Sequence, residues 1–270
     1  MKNNNFNLLN KFSLITGSSG LLGREHAEAL LEIGSNLVLT DLDFNKLKKL
    51  KKKLNHQFPE LKILIFKMDV TREKSIKKII NKLNKNKIKI DVLINNAAID
   101  SKVTKNNNMT NTGKLNNISL GLWNKHLEVG LTGAMLCSKH FGGMMTKNKN
   151  GGVILNIASD LSVIAPNHSI YNKGTYKPVM YSVVKHGLIG LTKYISTYWN
   201  NQKIRCNAIS PGPIKTDQPK SFVNKLKKQI PLNRLAQKGE YRGAIQFLCT
   251  DSSKYMTGQN IIIDGGRSVW

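Results

Sequence analysis

The stretch "TGSSGLLG", residues 16–23, decides how the rest of the sequence is interpreted. Its glycines, Gly17, Gly20 and Gly23, follow the spacing G-x-x-G-x-x-G, whereas the usual dinucleotide fingerprint is G-x-G-x-x-G. The apolar run "FSLIT" precedes the loop and an amphipathic segment follows it, so the loop joins a strand to a helix. Glycines let the backbone approach a pyrophosphate, and a helix N-terminus offers free N–H groups and a positive dipole end. The stretch therefore predicts a phosphate-binding loop rather than an ordinary tight turn.

Short apolar runs rich in β-branched residues alternate with longer amphipathic stretches along the chain. Continuous apolar runs are typical of parallel strands that are covered on both faces. The alternation predicts one α/β domain, residues 1–270, built on a doubly wound parallel sheet with its ligand crevice at the C-terminal ends of the strands. The predicted strands are 12–16, 36–40, 61–66, 91–95, 152–158, 204–210 and 260–264, and the predicted helices are 22–33, 43–56, 72–86, 120–147, 179–200, 220–229 and 239–249.

Asp41 stands at the end of the second predicted strand, 24 residues after Gly17. An acid about 20 residues beyond the glycine loop accepts hydrogen bonds from the adenosine ribose and repels a 2′-phosphate. Leu42 follows, where an arginine would suit that phosphate. Together these positions favour NAD over NADP. The alternative is that Asp41 only caps the next helix.

The chain is strongly basic, with a formal net charge of +26 from 42 basic and 16 acidic residues. Between residues 46 and 89 there are 16 lysines and arginines against three acids. Such a charge is compatible with a nucleic-acid-binding surface. However, Leu47, Leu50 and Leu54 recur at helical spacing, which places the lysines between them on a solvated face, and no aromatic residues are interleaved. We therefore expect no nucleic-acid partner.

The opening segment and the cysteines indicate the cellular compartment. The segment "MKNNNFNLLNKF" has no apolar region typical of a signal peptide, and no apolar run approaches the ~18 residues of a membrane span. Cys137, Cys206 and Cys249 lack metal-ligand spacing and form no obvious disulfide framework. We expect a cytoplasmic protein that uses no metal and has no membrane partner.

Short motifs occur in a fixed order along nearly the whole chain. They are "TGSSGLLG" at 16–23, "MDV" at 68–70, "NNAA" at 95–98, "NIAS" at 156–159, "YSVVK" at 181–185, "PGPIKT" at 211–216 and "DGG" at 264–266. In this order they resemble the signature of the short-chain dehydrogenase/reductase family. The resemblance implies a Rossmann-type sheet with the strand order 3-2-1-4-5-6-7. It also implies an NAD(H)-dependent enzyme that interconverts a secondary alcohol and a carbonyl, assembled as a homo-oligomer, a tetramer or dimer, through the helices at 120–147 and 179–200.

By the same resemblance, Ser159, Tyr181 and Lys185 are the catalytic residues. Tyr181 and Lys185 lie four residues apart on one helix face, and an ammonium group near a phenol lowers its pKa from about 10. Tyr181 would then be the general base for alcohol oxidation and the general acid for carbonyl reduction, while Ser159 holds the substrate oxygen. Residues expected to contact the cofactor are Gly17, Ser19, Gly20, Leu22, Gly23, Asp41, Asp69, Val70, Asn95, Ala97, Tyr181, Lys185, Pro211, Ile214 and Thr216.

A second tyrosine competes for the catalytic role. Spacing in the family favours Tyr171, which lies 12 residues after Ser159, over Tyr181, which lies 22 residues after it. Only Tyr181 has a lysine four residues later, so we assign the role to Tyr181 and infer an insertion within 160–178. Aromatic residues of this loop that are expected to line or cover the pocket are His168, Tyr171 and Tyr176.

One position departs from the family pattern. The asparagine that usually helps to organise a bound water, on the helix after the fourth strand, is replaced by Gly130. Glycine permits a helix kink but supplies no amide side chain. This departure leaves open an alternative function, a non-catalytic nucleotide-sensing or interaction protein that retains the fold.

The subclass and the substrate follow from the remaining pattern. The glycine spacing is usual in a longer branch of the family that acts on nucleotide sugars, but the chain ends shortly after "DGG", so we expect the shorter branch. The stretch from "NHSIYNKGTY" to "KYIS" resembles enzymes of bacterial surface-sugar and flagellar-glycan pathways. A hydroxylated, sugar-like substrate is therefore expected. From the glycine spacing we expect the backbone from Ser19 to Leu22 to contact the cofactor phosphates.

Overall fold

The computed structural model describes residues 5–100 and 113–270, and its centre is a single parallel sheet. The strands are β1 (Phe12–Thr16), β2 (Asn36–Asp41), β3 (Ile63–Lys67), β4 (Val92–Asn95), β5 (Gly152–Ile157), β6 (Ile204–Pro211) and β7 (Asn260–Ile263). Their order is β3-β2-β1-β4-β5-β6-β7, and every neighbouring pair is parallel. The order reverses beside β1, which is where a doubly wound sheet opens its ligand crevice. The expected fold and strand order are confirmed.

Helices follow the strands where the sequence pattern places them. They are α1 (Leu21–Leu31), α2 (Phe44–Gln57), α3 (Glu73–Lys85), α4 (Leu120–Leu127), α5 (Gly133–Cys137), α6 (Gly143–Met145), α7 (Val179–Tyr198), α8 (Lys220–Lys227) and α9 (Arg242–Cys249). Among the helix ends, the largest shift from the predicted position is at α9, which begins at Arg242 instead of residue 239. There the chain forms a turn that starts at Gly239, whose φ of 88° is unsuited to a helix.

Both faces of the sheet are buried under helices. Ile15 of β1 belongs to a core cluster with α1, α2 and α9, whereas its neighbour Leu14 belongs to a second cluster with α3, α5, α6 and α7. Successive residues of a strand point to opposite faces, so each strand must be apolar along its whole length. This explains why the strands are continuous apolar runs rather than alternating ones.

The segment predicted as one helix at 120–147 is interrupted by two π-helical turns. They span Glu128–Thr132 and Ser138–Gly142 and join α4 to α5 and α5 to α6. Gly130, where a kink was expected, lies in the first of them and is buried. π-Helical turns of this kind are frequent at functional sites.

The lysine-rich helix α2 confirms the amphipathic interpretation of its sequence. Leu47, Leu50 and Leu54 are buried, and most of the lysines between them are exposed. Within the described ranges, none of the helices has the length and apolar character required to cross a membrane.

Candidate active site

A large cavity opens at the C-terminal ends of the strands and has a volume of about 790 Å³. This is within the range of about 300 to 1,000 Å³ that is typical of ligand sites. The predicted residues that line it are Gly17, Ser19, Gly20, Leu22, Asp41, Asp69, Val70, Ala97, Ser159, Tyr181, Lys185, Pro211, Ile214 and Thr216. The fold therefore brings residues from the whole length of the sequence into one site.

The glycine loop forms the floor of one end of the cavity. Gly17 has a φ of 60°, and a Cβ atom there would lie 2.8 Å from the Cα atom of Ala97, so only glycine fits. Gly20 is the N-cap of α1, and the N–H groups of the first helical turn from Leu21 onward have no intrahelical acceptors. Gly23 faces the loop backbone instead of the cavity, because a Cβ atom there would lie 2.5 Å from the carbonyl oxygen of Gly17. This cradle fits the pyrophosphate of a dinucleotide without a glycine at position 21.

Asp41 lies at the end of β2 beside the glycine loop. Its carboxylate accepts hydrogen bonds from the backbone N–H and the hydroxyl of Ser19, at 3.0 and 2.7 Å, and from the N–H of Asp43 at 3.1 Å. Asp43, not Asp41, caps α2 by accepting from the N–H of Lys46 at 2.9 Å. The helix-capping alternative for Asp41 is therefore wrong, and its carboxylate stands in the cavity wall.

The asparagine expected to contact the cofactor belongs to the scaffold. Asn95 is buried, and its amide donates to the Ser138 hydroxyl at 2.9 Å and to the Asn156 side chain at 2.8 Å. The cavity is lined by the next residue, Asn96, whose amide donates to the carbonyl oxygen of Gly17 at 2.9 Å. The prediction of Asn95 is corrected to Asn96, because alternate residues at the end of β4 face opposite sides.

The remaining cofactor candidates lie on two loops. The carboxylate of Asp69 accepts from the N–H and the hydroxyl of Thr71, at 3.0 and 2.7 Å, which fixes the loop after β3. Pro211, Ile214 and Thr216 lie at and after the end of β6, on the far side of the cavity. These positions suit the adenine and nicotinamide ends of a dinucleotide, respectively.

Ser159, Tyr181 and Lys185 meet where β5 ends and α7 begins. The Ser159 hydroxyl accepts from the N–H of Leu161 at 3.2 Å and donates to the carboxylate of Asp160 at 2.8 Å, and both Ser159 and Tyr181 line the cavity. Lys185 lies one helical turn after the tyrosine and is buried. Its Nζ atom donates to the carbonyl oxygen of Ile157 at 2.7 Å and lies 5.6 Å from the Tyr181 ring centroid. The structure thus groups the three residues as the sequence predicts.

The pKa of Tyr181 differs from the expectation. Burial raises the pKa of Tyr181, the carboxylates of Asp100 and Asp160 raise it further, and the polar side chain of Ser159 opposes the rise. Burial lowers the pKa of Lys185 to about 8, against the opposing carboxylate of Asp100. The expectation of a lowered tyrosine pKa is wrong for the protein alone, because desolvation of the phenolate outweighs the nearby ammonium group.

The competing tyrosine has a different environment. Tyr171 lines the cavity but packs against Phe222, with ring centroids 5.4 Å apart, as part of a small apolar cluster with α8. His168 and Tyr176 stack edge to face, with centroids 5.2 Å apart, and are absent from the described lining of the cavity. Of the three residues expected to line or cover the pocket, Tyr171 therefore lines it, and for His168 and Tyr176 a covering role stays a prediction.

Two ion pairs in the cavity wall were missed at the sequence level. The Asp160 carboxylate accepts from the Ser159 hydroxyl at 2.8 Å and pairs with Arg267 at 2.7 Å. The Asp100 carboxylate pairs with the Nζ atom of Lys177 at 2.7 Å. Lys177 lies four residues before Tyr181, so its sequence position could have suggested a place near the tyrosine. No sequence pattern near Arg267 could have predicted its pairing with Asp160.

Gly130 lies opposite α7, in the position of the missing asparagine. A Cβ atom at Gly130 would lie 2.5 Å from a methyl carbon of Val184. Val184 is buried and precedes Lys185 directly. The space that an amide side chain would need is therefore occupied by valine.

Comparison with known proteins identifies the family. Residues 18–268 match a family model described as enoyl-(acyl carrier protein) reductase. The chain is 30% identical to a 3-oxoacyl-(acyl-carrier-protein) reductase from Aquifex aeolicus, over 96% of this chain and 98% of that protein. The chain belongs to the short-chain dehydrogenase/reductase family. Like other members, it is an oxidoreductase that interconverts alcohols and carbonyls with a nicotinamide cofactor.

Two further relatives of this short-chain dehydrogenase are informative. An NAD-dependent glycerol dehydrogenase from Listeria innocua is 29% identical over 98% of this chain and 96% of that protein. A gluconate 5-dehydrogenase from Burkholderia cenocepacia, solved in complex with NADP and tartrate, superposes with a TM-score of 0.85 at 25% identity, covering 98% of both chains. These relatives include both cofactor types.

Proposed function

We propose that this short-chain dehydrogenase uses NAD(H) to oxidise a secondary alcohol of a polyhydroxylated, sugar-like substrate and to reduce the matching carbonyl. One observation carries the proposal. Ser159 and Tyr181, with Lys185 one turn after the tyrosine, line the same cavity as Asp41. A site with an acid–base tyrosine and a ribose-binding acid suits hydride transfer to and from NAD.

Each residue of the site has a defined task in this proposal. Pro211 and Ile214 would hold the nicotinamide end of the cofactor, which would supply the hydride acceptor or donor when bound. Tyr181 removes the proton of the substrate hydroxyl during oxidation and returns it during reduction. Ser159 holds the substrate oxygen by a hydrogen bond, and Lys185 keeps a positive charge next to the forming phenolate.

NAD is the preferred cofactor in this proposal because of two neighbouring residues. The carboxylate of Asp41 is available to the two ribose hydroxyls and would repel a 2′-phosphate. Leu42, which also lines the cavity, provides no positive charge to compensate. The NAD-dependent relative from Listeria innocua supports this preference.

A polyhydroxylated substrate is supported by the polar wall of the cavity. Beyond the tyrosine, the wall carries the ion pairs Asp100–Lys177 and Asp160–Arg267, together with His126. Polar groups of this kind favour the binding of a substrate with several hydroxyls, which can hydrogen-bond to them. They disfavour the binding of an apolar substrate, which cannot. Relatives named for glycerol and for gluconate are consistent with this class.

The direct test combines cofactor binding with turnover. Fluorescence titration should give tighter binding of NADH than of NADPH, and NAD⁺ should be reduced with polyols or aldonates but not with simple fatty alcohols. Tyr181→Phe should bind NADH normally and lose turnover. Tight NADH binding without turnover of any polyol, aldonate or keto compound would favour the nucleotide-sensing alternative.

We also propose a cytoplasmic homo-oligomer, a dimer or tetramer. Apolar side chains on α5 and α7, among them Met135, Val183, Tyr194 and Tyr198, are exposed, and the two tyrosine rings stack with centroids 5.7 Å apart. Exposed apolar surface of this kind supports a subunit interface. The three cysteines, which are free and buried, are consistent with a reducing compartment. Sedimentation equilibrium would give the mass of the assembly.

A further inference from the structure

Two lysines, not one, lie next to Tyr181. Lys177 precedes the tyrosine by four residues, in the loop before α7, and Lys185 follows it by four residues, one helical turn later on α7. The Nζ atom of Lys177 lies over the tyrosine ring, 3.8 Å from its centroid, whereas that of Lys185 lies 5.6 Å from it. The lysine outside the YxxxK motif is therefore the nearer of the two to the ring.

Lys177 is held in this place by the opposite wall of the cavity. Its Nζ atom pairs with the carboxylate of Asp100 at 2.7 Å, and its side chain is only 11% exposed. Asp100 lies beyond β4, whereas Lys177 directly precedes Pro178, the N-cap of α7. The ion pair therefore fixes an ammonium group at the ring face of the tyrosine instead of leaving it in solvent.

An ammonium group in this position affects the ionised tyrosine more than the neutral one. The ring of a neutral phenol attracts a cation only through its quadrupole, which is a weak interaction. A phenolate carries a full negative charge, and an opposite charge within about 4–6 Å lowers a pKa by about one to three units. Stabilisation of the phenolate by a positive charge matters at this site, because burial and nearby carboxylates raise the pKa of Tyr181.

We propose that Lys177 is a second ammonium group that stabilises the phenolate of Tyr181, and that Asp100 limits the strength of this effect. Lys177 acts through the tyrosine and is a positioning residue in this role. The inference rests on the proposed function of Tyr181 as the acid–base residue. It gives the loop before α7 a task in catalysis that the YxxxK motif does not include.

Other charged and titratable groups around Tyr181 come from several elements. They are Asp100 after β4, His126 of α4, Asp160 after β5, Tyr171 and Lys177 of the loop before α7, Lys185 of α7, and Arg267, which pairs with Asp160. Asp100 and Asp160 oppose the phenolate, and Arg267 already neutralises Asp160. Beside Lys185, the pair of Lys177 and Asp100 therefore contributes opposing charges to the ionisation of the tyrosine.

The test is the pH profile of kcat/KM for alcohol oxidation. In Lys177→Met, the midpoint of the rise with pH should move upward by about one unit, with a corresponding tenfold loss of rate below the midpoint. Asp100→Asn should move the midpoint downward, because it leaves the ammonium charge uncompensated. Lys177→Arg keeps the charge and should keep the wild-type midpoint.

A merely structural ion pair gives a different pattern. Lys177→Met and Asp100→Asn would then lose activity or thermal stability together, with the midpoint unmoved in both. A midpoint that stays in place in Lys177→Met, or that fails to fall in Asp100→Asn, overturns the proposal. Lys177→Gln repeats the test should the methionine variant fold poorly.

A second readout separates this inference from the proposed function. Phenolate absorbance at 295 nm, titrated with NAD⁺ present and compared between each protein and its Tyr181→Phe counterpart, reports the ionisation of Tyr181 without any substrate. Lys177→Met should raise the apparent pKa measured in this way even if no substrate of the panel is turned over. If the apparent pKa of Tyr181 is unchanged in a Lys177→Met enzyme with normal turnover, the proposed role of Lys177 is refuted. The proposed function of the enzyme is then unaffected.

Discussion

The guanidinium of Arg267 lies 2.7 Å from the carboxylate of Asp160, and the two side chains are only 7% and 5% exposed. The other oxygen of the carboxylate accepts the Ser159 hydroxyl at 2.8 Å. A residue near the C-terminus thus holds the acid that orients the candidate catalytic serine. Arg267 also donates to the side chain of Gln229, which ties the C-terminal segment to the turn after α8.

Arg267→Met should be strongly destabilising, because it leaves the buried Asp160 carboxylate without its positively charged partner. The expected loss in the free energy of unfolding is about 3–5 kcal/mol, measured by urea denaturation. Arg234 provides a matched control, since it also pairs with a carboxylate, Glu240, at 2.7 Å, but in an exposed place with side chains 49% and 37% accessible. Arg234→Met should therefore cost far less stability than Arg267→Met. Equal losses in the two variants would contradict the importance of burial at Asp160.

Asp41 should control the choice of cofactor. Asp41→Asn combined with Leu42→Arg removes the charge that repels a 2′-phosphate and adds one that attracts it. We expect the ratio of kcat/KM for NADP⁺ to that for NAD⁺ to rise at least about tenfold, equivalent to about 1.4 kcal/mol. Asp43→Asn is the control, because Asp43 caps α2 and does not line the cavity. An unchanged ratio in the double variant would remove Asp41 from the cofactor site.

Restoring the family asparagine at Gly130 should damage the protein. Its side chain would meet the methyl groups of Val184, since even a Cβ atom there lies 2.5 Å from one of them. Overpacking of this kind costs about 1–3 kcal/mol, which a lower thermal midpoint would report. Val184→Ala in the same chain should recover much of the loss. A Gly130→Asn variant as stable as the wild type would show that the helix moves aside freely.

Much of the fold follows from the sequence, for a physical reason. Strands covered on both faces must be apolar throughout, so the strands can be recognised from runs such as "DVLIN". The strand order, in contrast, was implied by the resemblance of the motifs to the family signature. The glycine loop, Asp41 and the grouping of Ser159 with Tyr181 were likewise predictable from short motifs.

Other parts of the site could not be predicted because they depend on distant packing. Asn95 and Asn96 are neighbours in one motif, and only the register of β4 against β5 decides which of them faces the cavity. The ion pair between Asp160 and Arg267 joins positions 107 residues apart and has no local pattern. Burial, which raises the pKa of Tyr181, is likewise a property of the folded chain.

The most direct measurement is the steady-state rate of NADH formation from one polyol or aldonate substrate in two matched variants, Tyr181→Phe and Tyr171→Phe. Each removes a single hydroxyl from a tyrosine that lines the same cavity. We expect Tyr181→Phe to lower kcat/KM by about 100- to 10,000-fold with unchanged NADH affinity, and Tyr171→Phe to retain most activity. Full activity in Tyr181→Phe, or its loss in Tyr171→Phe alone, would contradict the assignment of Tyr181 as the acid–base residue.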